Sequence, residues 1–291
     1  MKVLVLGKSG QLAQALAERV PPGWRVALAG RPEFDLDHAE ALADLGALHT
    51  ADAVVNAAAW TDVDGAEANE SGALRQNGEA AGTIARLAAA ARKPLVHVST
   101  DYVFDGSGER AWEPDDPVAP LGAYGRTKLV GERAVAAAHP DSLVVRTAWV
   151  YSPFGRNFVK TMLRLAEARD ELRVVSDQLG NPTSAFDLAD GIFAALSVRE
   201  EQGAFPVRLA HLAGTGDASW ADFAAEIMAV GAELGGPTVS VTPIPSAEFP
   251  TPAERPKNSR LSTEGFAKAF GYRAPPWRQS LRPVVERLLA G

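Results

Sequence analysis

Apolar positions in this chain come in blocks whose spacing changes from one block to the next. Val3, Leu4, Val5 and Leu6 are continuously apolar, as in a strand buried on both faces. After Gly7 and Gly10 the apolar positions Leu12 and Leu16 fall at helical spacing, so the start reads as strand, glycine turn, helix. The same alternation predicts strands at Arg25 to Leu28, Ala53 to Asn56, Leu95 to Ser99 and Leu143 to Arg146. Helices are predicted around Glu40 to Leu48, from about Ala73 to Ala91, and from near Tyr124. Further strand-helix pairs follow around Arg173 to Val175 and Val207 to Leu212. Strands that alternate with helices imply an α/β fold with a doubly wound parallel sheet of Rossmann type. Such sheets bind ligands beyond the carboxyl ends of their strands, where Gly7, Ala57 to Ala59, Thr100 and Trp149 fall.

The texture changes after about Tyr151. Pro182, Pro237, Pro243, Pro245, Pro250, Pro252 and Pro256 punctuate shorter elements, and Trp220, Phe223 and Trp277 can supply a smaller core. The expected division is a dinucleotide-binding domain over 1–150 and, over 151–291, a mainly substrate-binding lobe interleaved with the last strands and helices of the sheet. Composition narrows the partners. The 291 residues carry a formal charge of −7 with dispersed basic positions, which argues against a nucleic-acid surface. With no cysteine there is no thiol catalysis, disulfide or thiolate metal site. Met1 and Lys2 lead into an apolar stretch too short for a secretory signal, and no later run approaches a membrane span, so a cytoplasmic protein is expected.

Gly7, Gly10 and Ala13 form G-x-x-G-x-x-A, whose small residues permit a tight turn and close approach of backbone to a pyrophosphate. A purely structural turn has the same residues. Arg31 stands just past the second strand, where an acidic residue ordinarily holds the ribose hydroxyls of NAD; a guanidinium there can pair with a 2′-phosphate, or simply be solvated. Asn56-Ala57-Ala58-Ala59 would let a cofactor lie against backbone, and so would a tight corner. Asp62 and Asp64 have no histidine cluster beside them and read as solvated loop acids; His97, within an apolar strand, reads as a core residue.

Tyr124 and Lys128 are four apart and share a helix face. At roughly 4 Å and an effective dielectric of about 20, two unit charges interact by ~4 kcal/mol, enough to move a phenol ~3 pKa units toward neutrality. Alone this is a commonplace surface pair. Thr100, at the end of the fourth strand, changes its meaning, because a hydroxyl, a phenol and an ammonium can converge on one carbonyl oxygen; Ser99 points to the other face of the pleat.

These segments resemble the extended short-chain dehydrogenase/reductases, and within them the dTDP-4-dehydrorhamnose reductase family. The resemblance rests on Gly7 to Leu12, Val55 to Ala59, Thr61 with Val63-Asp64 and Ala66-Glu67, Ser99 to Phe104, Tyr124-Gly125 with Thr127-Lys128, Arg146 to Tyr151, Asn157-Phe158, Asp177-Gln178 with Gly180, Pro182-Thr183, and Arg255-Pro256 with Asn258 to Leu261. It implies reduction of the C4 ketone of dTDP-4-dehydro-6-deoxy-L-mannose to dTDP-L-rhamnose, with NADPH preferred and NADH as the second cofactor. Thr100, Tyr124 and Lys128 would be catalytic. Gly7, Gly10, Gln11, Leu12, Arg31, Asp35, Leu36, Ala58 and Ala59 would hold the cofactor with Tyr124 and Lys128. Thr61, Val63, Thr100, Asp101 and Trp149 would face the sugar, and Asn157 and Arg260 the nucleotide diphosphate. Some relatives form dimers around magnesium held by carboxylates, but the matching positions here are Ala15 and Phe186, so no metal is expected and a monomer is the default, with a homodimer second. A sugar-nucleotide epimerase or dehydratase with tightly held NAD(P), and a non-catalytic NADP-binding subunit, are the alternatives.

Overall fold

The computed structural model describes residues 1–290. Five strands follow the expected pattern: β1 (Lys2–Leu6), β2 (Arg25–Ala29), β3 (Ala53–Asn56), β4 (Leu95–Thr100) and β5 (Ser142–Thr147). With Leu209–His211 they form one six-stranded sheet in the order Leu209–His211, β5, β4, β3, β1, β2, every neighbouring pair parallel. The unbroken apolar runs are explained by the two faces. Val3 and Val5 join a core against the helices Gln11–Glu18 and Ala185–Gln202, while Leu4 and Leu6 join a second core against Ala80–Ala90. Register pairs Leu6 with Asn56 and Thr100 with Thr147, so the segments after β1, β3, β4 and β5 open on the same edge.

Three expectations need correction. The strand Glu171–Val175 lies outside the main sheet and pairs with Ser240–Ile244 in a two-stranded ladder. Its Glu171 and Arg173 are exposed between buried neighbours, the one-sided burial of a surface strand. The helix expected at Glu40 to Leu48 is instead a 3₁₀ segment, Leu36–Asp44, kinked at His38, and a separate turn of helix, Gly46–Thr50. The long alanine-rich helix is widened by a π turn at Arg75–Glu79, where Asn77 bonds both the N–H and the carbonyl of Trp60 (2.9 and 3.1 Å) and the Thr127 hydroxyl (3.2 Å).

A further core gathers Phe223, Ile227, Trp277, Leu281 and Tyr151 among the helices Phe158–Ala166, Trp220–Glu233 and Trp277–Leu289. Among the described residues no helix is long and apolar enough to cross a membrane.

Candidate active site

One cleft of about 960 Å³ runs along the carboxyl edge of the sheet, from Gly7 and Arg31 to Trp149 and Trp220. Its floor is the first turn. Gly7 has φ +103°, and a Cβ there would sit 3.0 Å from the Ala58 amide nitrogen, so only glycine lets the two crossovers approach. No side chain caps the N-terminus of the helix Gln11–Glu18, leaving its N–H groups available to an anion. Gly10, Gln11, Leu12, Ala58 and Ala59 all line this stretch, and the fit to a dinucleotide backbone is good.

Arg31, Asp35 and Leu36 line the far end. The Arg31 side chain is 79% exposed and lies 3.6 Å from Asp35, while Lys8 is paired with Glu33 at 2.6 Å. A guanidinium so exposed can turn to an incoming phosphate without losing a strong partner.

At the centre, Thr100, Tyr124 and Lys128 face the same cleft. The helix Ala123–Ala138 carries the last two, and its first N–H is held by Glu67 (Ala123 N to Oε1, 2.6 Å). Thr100 donates to Asp101 (2.9 Å) and accepts from the Tyr102 N–H (3.2 Å). Part of the Tyr124 ring is open to the cleft, yet desolvation pushes its phenol up to about 12, against the Thr100 hydroxyl, which favours the ionised form. Lys128 is buried and is brought down to about 8, chiefly by burial, with the Glu132 carboxylate opposing. Its Nζ donates to the Val98 carbonyl at 2.6 Å. The expected pull of the ammonium on the phenol is therefore not what governs Tyr124 in the free protein: desolvation does, and Lys128 is directed at the end of β4.

Asp101 is buried, and desolvation pushes its carboxyl up to about 6, opposed by hydrogen bonds from Ser259 and Thr100. Ser99 points away from Thr100 and donates to Glu132, which also takes two bonds from Arg146 at 2.9 and 2.8 Å. His97 is buried beside Asn56 (3.0 Å) and is held neutral, first by desolvation and then by the Lys128 charge.

Trp149 adopts φ +46°, a left-handed conformation that costs a non-glycine residue about 1–3 kcal/mol. Its indole is stacked on Trp220, centroids 3.5 Å apart and planes 6° apart. Thr61, Val63 and Asp101 line the same end.

The two residues assigned to a nucleotide diphosphate part company. Asn157 lines the cleft but donates to Gln11 Oε1 at 3.0 Å, alongside Ser152 at 2.8 Å, which places it on the glycine turn. Arg260 is outside the cleft lining, engaged with Asn258 (2.9 Å), Asp217 (3.3 Å) and the Glu109 carbonyl (2.5 Å). Arg156 does line the cleft and, among the described residues, makes no side-chain hydrogen bond or ion pair; sequence reasoning passed over it because nothing in its spacing marks it. Glu67 and Trp220 have no site role in the sequence pattern either, although Glu67 stands in one of the segments that carry the resemblance.

The family described as RmlD substrate binding domain matches the chain over residues 1–290. A dTDP-4-dehydrorhamnose reductase of Sinorhizobium fredii is 42% identical over 99% of this chain and 98% of its own length. The crystal structure of a dTDP-4-dehydrorhamnose reductase of Clostridium acetobutylicum superposes with a TM-score of 0.90 at 36% identity, covering 99% of this chain and all of that one. A dTDP-4-dehydrorhamnose reductase of Bacillus anthracis, solved in complex with NADP, superposes at 0.88 and 30%, covering 97% and 98%.

Proposed function

The chain belongs to the dTDP-4-dehydrorhamnose reductase family, whose members are NADPH-dependent oxidoreductases, and we propose that it reduces the C4 ketone of dTDP-4-dehydro-6-deoxy-L-mannose to dTDP-L-rhamnose through Thr100, Tyr124 and Lys128. Gly7, Gly10 to Leu12, Ala58 and Ala59 would hold NADPH, with Arg31 available to its 2′-phosphate, and the bound cofactor would supply the hydride. Tyr124 gives its proton to the C4 oxygen as negative charge develops there. The Thr100 hydroxyl turns from Asp101 to donate to the same oxygen, and the Lys128 ammonium adds a positive field and a donor for the cofactor ribose. Thr61, Val63, Asp101 and Trp149 bound the sugar, and the lobe built around Phe223 and Trp277 closes that end. Asn157 belongs with the glycine turn in this reading, and Arg260 holds the loop around Glu109. A cytoplasmic monomer is the setting we favour: Ala15 is fully buried in the core and Phe186 packs on Phe154, so neither offers an oxygen ligand.

The observation that carries the proposal is the convergence of Thr100, Tyr124 and Lys128 on the cleft that also holds the glycine turn. It is tested by following NADPH oxidation with a panel of 4-keto-6-deoxy sugar nucleotides, for wild type and Tyr124→Phe. Stoichiometric NADPH consumption is expected, with kcat lower by ~10²-fold or more in the variant and NADPH affinity nearly constant. Purified protein that retains a dinucleotide and isomerises or dehydrates its substrate without net NADPH loss would mean an epimerase or dehydratase. Binding of NADPH without turnover on any member of the panel would mean a regulatory subunit.

A further inference from the structure

The ladder between Leu179–Gly180 and Ala218–Ser219 delivers two contacts to one side chain. Ala218 pairs with Gly180 and Ser219 with Leu179, antiparallel, so the strand end at Gly180 and the helix beginning at Trp220 arrive together. Gly180 meets the edge of the Trp149 indole so closely that a Cβ would lie 2.4 Å from Cε2. Trp220 covers one indole face at 3.5 Å. The Trp149 carbonyl is fixed as well, accepting from Thr183 N at 3.2 Å.

Trp220 is itself packed against a second ring. Phe158 lies tilted against it at 4.7 Å, in a chain of rings that continues from Phe158 to Phe223 at 5.4 Å. Its helix starts with a reciprocal cap, in which Ser219 Oγ accepts from Asp222 N (3.0 Å) and the Asp222 carboxylate accepts from Ser219 N (2.9 Å). A ring covered by other rings and anchored at a capped helix start is a support for its neighbour. Trp149, with its left-handed backbone, needs such a support, since strained conformations persist only where the surroundings over-determine them.

We infer that Trp220 is a positioning residue for the reductase reaction: with Gly180 it forms a socket that holds the Trp149 indole as the wall against which the sugar ring of the nucleotide sugar is set. The inference rests on the reading of Trp149 as a sugar-facing residue. Trp220 lines the cleft at the Trp149 end, so its loss changes use of the sugar nucleotide and leaves the dinucleotide end alone, and the double variant separates action through Trp149 from a contact of its own.

The test compares Trp220→Met, which keeps a bulky apolar side chain without a plane, with Trp220→Phe, which keeps a ring, and with Trp149→Ala and the Trp149→Ala/Trp220→Met double variant. For Trp220→Met, kcat/KM for the keto sugar nucleotide should fall roughly tenfold or more, while the Kd for NADPH by fluorescence titration stays within about twofold of wild type. Trp220→Phe should recover most of the loss. In the double variant, losses should not add beyond Trp149→Ala alone, as expected for two residues acting as one unit. Near-UV circular dichroism should lose the same indole band in Trp149→Ala and Trp220→Met, reporting the stack directly. If Trp149→Ala is impaired but Trp220→Met matches wild type, or if the two losses multiply, the socket is refuted. Wild-type efficiency in Trp149→Ala would instead refute the reading of Trp149 on which the socket depends. Should Trp220→Met fail to fold, Trp220→Leu, which also lacks a ring, carries the same test through its double variant with Trp149→Ala.

Discussion

Lys128→Met should make the protein more stable and inactive. Burial lowers the Lys128 pKa from 10.5 to about 8, a difference of 2.5 units. At 1.36 kcal/mol per unit, holding that ammonium in the folded state costs about 3 kcal/mol at pH 7. Methionine fills much the same space without charge. The variant loses the bond from Nζ to the Val98 carbonyl, worth about 1.5 kcal/mol, so the net gain is about 2 kcal/mol. Glu132 is not stranded by the change, because Arg146 holds both of its oxygens. The sign with pH follows from linkage. Below pH 8 Lys128 is charged in both folded and unfolded chains, and the penalty is complete. Between pH 8 and 10.5 the unfolded chain holds a proton that the folded one has released, so wild-type stability rises with pH while the variant's does not. By pH 9.5 the wild type has regained about 2 kcal/mol and the difference has closed. Urea denaturation followed by tryptophan fluorescence at pH 7 and 9.5 measures both values. A variant no more stable than wild type at pH 7, or one whose advantage is unchanged at pH 9.5, would refute the reasoning.

Arg31→Ala should weaken NADPH by ~10- to 100-fold relative to NADH, the range of a charge-assisted contact worth about 1.5–3 kcal/mol, and the difference should shrink as salt is added; equal losses for the two cofactors in calorimetry would make Arg31 a surface residue only. Asp101, brought up to about 6 by desolvation, is charged above that pH and neutral below it. If its carboxylate accepts from a sugar hydroxyl, kcat/KM for the keto sugar nucleotide should fall below pH 6 while NADPH affinity stays level. Asp101→Asn should remove that acid limb, and its survival in the variant would assign it to another group.

Much of this was legible because burial on two faces leaves a plain trace. Val3 to Leu6 can be read as a central strand because each residue enters one of two cores, and Gly7 can be singled out because its turn abuts the backbone of Ala58. The spacing of Tyr124 and Lys128 likewise needs nothing beyond helix geometry. What escaped depends on which distant segments meet. Arg260 and Arg156 are equivalent as letters; only the fold turns one into the loop around Glu109 and leaves the other on the cleft. Trp220 follows a capping serine and reads as core, and its meeting with Trp149 requires the pairing of residues 179–180 with 218–219. The lowered pKa of Lys128 escaped for a related reason: a helix spacing says which groups are neighbours, while the depth of burial that decides their pKa values is a property of the packed whole.

That depth also bears on the direction of the chemistry. A ketone reductase needs its phenol protonated at the start, whereas an enzyme that begins by oxidising the sugar C4 hydroxyl needs a phenolate to take the proton. With the Tyr124 phenol pushed up to about 12, its ionised fraction at pH 7.5 is on the order of 3 × 10⁻⁵, so the free protein is poised as an acid and not as a base. Thr100 favours the ionised form, yet its contribution is outweighed by desolvation. Reduction should accordingly be nearly independent of pH from 6.5 to 7.5, above which the Lys128 ammonium, brought down to about 8, begins to be lost. The reverse reaction, oxidation of dTDP-L-rhamnose by NADP⁺, should quicken by about tenfold per unit over the same range, because each unit raises the phenolate fraction tenfold. Single-turnover rates in both directions, recorded at saturating cofactor, give the two slopes. A reverse rate that stays level over this range would show that a phenolate is already present and that Tyr124 is not held in the protonated state that suits a reductase.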